Sequence, residues 1–127
     1  MNKILLFFAV FLFIILMDFI FLNLIMKGFY DSQLSSFGRT LRLWSGLIAW
    51  ALIALGAIVL VLPFAKDYPS AALYGAIFGL VLYGVYDFSN FAILKDYRLA
   101  MALVDWAWGT FLCTLPSLFA YFCSIKF

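Results

Sequence analysis

An all-α integral membrane protein is the fold class this sequence predicts, with four transmembrane helices as two antiparallel hairpins. Three observations predict it. Of the 127 residues, 69% are hydrophobic and 11% are charged, against about 25% charged in a soluble domain. The mean hydropathy is +1.16. The apolar residues fall in four runs, 4–26, 43–63, 71–94 and 99–122. Each can cross about 30 Å of hydrocarbon at about 1.5 Å per residue. Backbone groups find no water in that layer, so each run must be a helix. The length suits one domain, 1–127.

The first run, Ile4 to Met26, is interrupted only by Asp18 and Asn23. Lys3 ahead of it resembles the start of a signal peptide. The run exceeds the usual length of about 7–15 residues, however, and no small-x-small cleavage site follows. It is read as a retained helix. Residues 27–42 form the longest connection. Leu43 to Pro63 is the second span, and residues 64–70, bracketed by Pro63 and Pro69, are a turn. Ala71 to Leu94 is the third span, 95–98 a tight turn, and Leu99 to Phe122 the fourth. Connections this short make successive helices antiparallel neighbours.

Several classes are excluded by what is missing. There is no His, and all six acids are Asp. A Ser-His triad, a haem His and a His-bearing zinc site are ruled out, and no metal or cofactor is expected. A net charge of +2 is too small for a nucleic-acid reader. Cys113 and Cys123 lie ten residues apart in one helix, about 15 Å, too far for a disulfide. Lys and Arg number five at the end bearing the first and third connections (Lys27, Arg39, Arg42, Lys95, Arg98). The other end has three (Lys3, Lys66, Lys126). The positive-inside rule then puts both termini on the non-cytoplasmic side.

An internal echo suggests a tandem two-helix repeat. Arg42-Leu43 recurs as Arg98-Leu99, an offset of 56. At that offset Leu47-Ile48-Ala49-Trp50-Ala51 becomes Leu103-Val104-Asp105-Trp106-Ala107. Parallel repeats of this kind occur in transporters.

Asp18, Asp87 and Asp105 lie inside spans. Counted from Lys27, Lys95 and Arg98, their depths are about 10–14 Å from one membrane face. An ionised Asp near the midplane costs about 2.5–3.5 kcal/mol or more. The three should therefore turn inward and meet. No intramembrane Lys, Arg or His is available to pair with them. They are expected to be protonated, to bind a cation or amine, or to reach Lys95 or Arg98 at a helix end. In the third span Gly75, Gly79, Tyr83 and Asp87 recur every four residues, with Asn90 three further on. That is one stripe, small in one half and polar in the other. Tyr86 and Ser89 flank it. In the fourth span Asp105, Trp108 and Gly109 share a face, with Trp106 and Thr110 beside it. The candidate binding residues are Asp18, Tyr83, Tyr86, Asp87, Asn90, Asp105, Trp106 and Trp108. Asn23, Ser89, Thr110, Lys95 and Arg98 are secondary.

Two stretches carry a resemblance. Asp18 followed by Lys27-Gly28-Phe29-Tyr30 and Gln33-Leu34 is one. The other runs Tyr86-Asp87-Phe88-Ser89-Asn90-Phe91-Ala92-Ile93-Leu94, then Leu99, then Asp105-Trp106-Ala107-Trp108-Gly109-Thr110. Together they resemble a bacterial family of membrane proteins catalogued as domain of unknown function 2177, over nearly the whole chain. Phe21-Leu22-Asn23-Leu24 departs from the Leu-Trp-Leu-Gly pattern after the first acid, so no role for a Trp there is carried over. The resemblance implies a four-helix protein of the bacterial inner membrane and supplies no activity. It puts the signature on Asp87, Asn90, Asp105, Trp106 and Trp108.

The function expected from the residues is transport or binding of a proton, a cation or a small amphipathic solute. The bilayer is one partner, and a homo-oligomer or another membrane protein a second. Two readings stand beside it. One is a non-catalytic accessory or scaffold subunit of a lipid-modifying membrane enzyme system, with Gly75 and Gly79 as the packing face. The other is an intramembrane acid–base enzyme using Asp87 and Asp105, with Trp106 and Trp108 shaping its pocket.

Overall fold

The computed structural model describes residues 1–127. Four helices have the length and apolarity to cross a membrane: α1 (Lys3–Ile25), α3 (Leu43–Phe64), α4 (Tyr68–Ile93) and α5 (Leu99–Lys126). A short α2 (Lys27–Gln33) lies between the first two. There is no strand.

The helices are apolar on every side, as bilayer solvation requires. α1 shows how the inner face is chosen. Leu6, Val10, Ile14 and Asp18, each four residues from the last, are its buried residues. Leu5, Phe8, Leu12, Leu16 and Phe19 remain exposed on the outside. The stripe packs with Ile53, Ala54, Ala57 and Ile58 of α3 and with Leu112, Cys113, Ala120 and Cys123 of α5. Both cysteines are buried free thiols.

The tightest pair is α4 on α5. Gly75 faces Ser117 and Cys113, and Gly79 faces Thr110 and the Gly109 carbonyl. A Cβ added at Gly79 would lie 2.7 Å from the Thr110 Cα and 2.9 Å from the Gly109 oxygen. At Gly109 the ring of Tyr83 occupies the space a side chain would fill. The small residues thus let the two backbones approach. α3 meets α4 and α5 mainly through its final turns, 57–64, while α1 lies against α3 and α5. The first pair of spanning helices is the looser one.

Helix ends have local causes. α4 begins at Tyr68 because Asp67 and Ser70 form a reciprocal capping box with Pro69 in the first turn. The third span therefore starts three residues before the expected 71. The fourth runs past 122 to Lys126. The larger correction concerns 27–42, expected to be only a connection. Its first part is α2, which folds against the bundle and buries Tyr30 beside Tyr97, Met101 and Ala102. Lys27 and Arg39 both pair with Asp31 at 2.8 Å and tie the segment together.

Gly79→Ala should lower stability by about 1–3 kcal/mol, because the new methyl meets backbone that cannot move aside. A lowered thermal midpoint in mild detergent checks this. Gly28→Ala, in α2 with nothing within 4 Å, should not lower the midpoint, since Ala is the better helix former.

Candidate functional site

The three intramembrane acids are all buried, Asp87 completely. They lie six or seven residues from the helix ends that carry α2 and the 94–98 turn, a depth of about 9–11 Å. Asp18 and Asp105 line one cavity, but the hydrogen bonds of Asp18 run to tryptophans and not to the other two acids.

Asp18 is held by tryptophans. The indole N–H of Trp50 on α3 donates to its Oδ2 at 2.8 Å. Trp108 on α5 donates to its Oδ1 at 3.0 Å. The Trp108 ring stacks on Phe21 with centroids 3.8 Å apart, which fixes its direction. One carboxylate of α1 thereby joins three helices.

Asp87 and Asp105 form the pair. They project toward each other across the α4–α5 contact, and their carboxyls lie within hydrogen-bonding reach. Tyr97, in the turn between the helices, donates to Asp87 Oδ1 at 2.6 Å. Tyr30 of α2 donates to Asp105 Oδ1 at 2.9 Å. Asp87 Oδ2 is buried and receives no donor. Burial and the adjacent carboxyls push both phenols well above their ordinary range. Tyr30 and Tyr97 therefore remain O–H donors at neutral pH. Neither was among the expected site residues. Both lie in segments that read as connections, and only the neighbouring acids reveal their role.

Beside Asp18 and Asp105 opens a cavity of about 800 Å³. It lies between α3 and α4, where these helices diverge from their contact at 57–64. Its walls are apolar, among them Leu52, Ile53, Val59, Phe78 and Leu82. Leu52, Leu55, Leu82 and Tyr86 line it and are also exposed on the outer surface, so it opens sideways between the two helices. Its polar end consists of Asp18, Tyr30, Tyr83, Tyr86, Asp105 and Trp108. Arg39 also lines it, but this guanidinium is committed to Asp31, whose carboxyl Lys27 and Arg39 hold below the usual carboxylate range.

The remaining expected residues lie elsewhere. Trp106 is adjacent to Asp105 in sequence, yet its indole donates to the Leu80 carbonyl at 3.0 Å and lies over Gly84. One helical residue turns through about 100°, enough to carry it out of the site. Trp50, 56 residues earlier in the chain, bonds Asp18 instead. Asn90 sits beside the Tyr86 and Tyr97 hydroxyls. Ser89 is exposed. Asn23 donates to the Phe19 carbonyl, and Thr110 to that of Trp106. Lys95 and Arg98 do not reach the acids. They line a separate polar hollow of about 290 Å³ with Ser32, Gln33, Ser35, Ser36 and Asp96. No group of three metal-ligating side chains is present.

Tyr30→Phe should remove the hydrogen bond that docks α2, worth about 1.5–3 kcal/mol where the acceptor is charged. Amide exchange across 27–33 should then rise about tenfold or more, with 99–126 unaffected. Unchanged exchange in α2 would show that apolar packing alone holds it.

The chain matches a family model described as "Predicted membrane protein (DUF2177)" over residues 3–122. No curated protein and no solved structure matches it.

Proposed function

The chain belongs to the DUF2177 family of predicted membrane proteins, and on that premise we propose that it binds, and passes along the bilayer, a small amphipathic molecule with a cationic head. The observation that supports this is the sideways-opening cavity of about 800 Å³, apolar along its walls and carboxylate-lined at one end. Its volume falls within the range of about 300–1,000 Å³ usual for ligand sites. The charge pattern favours a cation. Asp18 and Asp105 stand at the inner end with only neutral donors around them. The one basic residue at the cavity is already paired. Trp108, Tyr83, Tyr86 and Phe78 add aromatic faces, which attract a desolvated cation further.

The lateral opening gives an apolar tail a way in from the lipid. Lys27, Arg39, Arg42, Lys95 and Arg98 mark the acid-bearing end as cytoplasmic by the positive-inside rule. Gly75 and Gly79, the packing face in the scaffold reading, face α5 within the same chain.

Tetraphenylphosphonium and tetraphenylborate share shape and apolarity and differ in the sign of charge. Purified protein in mild detergent should bind the cation at least about tenfold more tightly, a difference of about 1.4 kcal/mol. Asp105→Asn should erase most of that preference and leave the weak binding of the anion as it was. Equal binding of both ions, or an unaltered preference in Asp105→Asn, would defeat the proposal.

A further inference from the structure

Asp87 has no place in the binding site just described. It does not line the cavity, yet it is completely buried and its Oδ2 has no donor. An ionised carboxylate can only accept hydrogen bonds. Two such groups within hydrogen-bonding reach would repel, and neither would satisfy the other. A single proton between them removes both difficulties. It gives Asp87 Oδ2 its missing partner and leaves one negative charge on the pair.

We propose that Asp87 and Asp105 hold one exchangeable proton between them, and that a cation docking at Asp105 from the cavity releases it. The inference rests on the cation-binding reading above and adds a proton as the exchanged species. The charges balance. Before binding, the pair holds one proton and one negative charge. After binding it holds two carboxylates and one cation, and one proton has left. The net charge in the bilayer is the same in both states, so neither is penalised by an extra buried charge.

The surroundings suit such an exchange. From α1 the titratable group facing the pair is Asp18, held by two indoles. From α2 it is Tyr30, and from the 94–98 turn Tyr97, both neutral donors. α4 itself contributes Tyr83, Tyr86 and Asn90 nearby. Arg39 lines the cavity that Asp105 reaches but is paired with Asp31, and no Lys or Arg bonds the two carboxyls, so a proton or an incoming cation is left to neutralise them. Asp105 reaches the cavity while Asp87 lies behind it, on the side of Tyr97. The cation thus arrives on one side of the pair, and the proton leaves on the other, toward the end of the bundle that holds the 94–98 turn.

Two measurements test this. The first is infrared spectroscopy of the ligand-free protein in detergent. A protonated-carboxyl C=O band should be present at neutral pH and absent in Asp87→Asn, whose side-chain amide donates to Asp105 where the proton did. Absence of that band from the unaltered protein, or its survival in Asp87→Asn, would overturn the shared proton. The second is calorimetric titration with tetraphenylphosphonium in two buffers of different ionisation enthalpy. The unaltered protein should release close to one proton per cation, and its affinity should rise about tenfold per pH unit on the acid side of the transition. Asp87→Asn should still bind the cation, with little proton release and a flat pH dependence. Binding without proton release would overturn the exchange alone and leave the cation-binding reading standing. No binding at any pH would overturn both.

Discussion

Three carboxyls buried in a lipid-facing bundle, with no lysine, arginine or histidine bonded to them, oblige neutral donors to come to them. Much of the structure follows from that requirement. Asp18 draws the indoles of Trp50 and Trp108, and with them α3 and α5. Asp105 draws Tyr30, which lays α2 across the end of the bundle. Asp87 draws Tyr97 back from the turn. Hydrogen bonds to a charged acceptor contribute about 1.5–3 kcal/mol each, against about 2.5–3.5 kcal/mol or more for an ionised Asp at midplane. Asp18 has two such donors. Asp87 and Asp105 have one apiece, and that difference separates the pair from the lone acid.

The pair exists because α4 and α5 approach closely. Gly79 against the Gly109 carbonyl, and Tyr83 over Gly109, bring the backbones near enough for Asp87 and Asp105 to face each other. A larger residue at either glycine would separate the carboxyls as well as loosen the packing. α3 has no such contact with α4 along its first half, and the cavity is the space left by that divergence. Tight packing on one side of the bundle and looseness on the other therefore produce a rigid polar pair beside an accessible apolar chamber.

The parts legible in the sequence were those set by composition and period. Four spans follow from the apolar runs, and the inner face of α4 follows from the four-residue spacing of Gly75, Gly79, Tyr83 and Asp87. The depth of the acids follows from counting residues inward from the basic helix ends. Period gives a face, however, and not the partner across from it. Nothing in the sequence says that Trp50 of one helix finds Asp18 of another, or that Trp106 turns away. α2 escaped notice because it is short and largely polar, and the partner that docks its Tyr30 lies 75 residues away in the sequence. The cavity is a property of how two helices diverge, which no local pattern encodes.

Interhelical hydrogen bonding by itself does not explain the choice of residue. Polar contacts in membranes average only about 0.6 kcal/mol, and an asparagine could make them without a charge. At Asp87 an amide would offer both donor and acceptor to Tyr97 and Asp105, leaving no buried oxygen without a partner. Aspartate at both positions instead builds a site whose satisfaction depends on a mobile positive species. A fixed lysine or arginine would fill that requirement permanently, and the chain has none there. The vacancy is filled either by a proton or by a cation that reaches Asp105 through the opening between α3 and α4. Two occupants competing for one negative charge, in a layer too apolar to tolerate both or neither, is the physical basis for coupling them.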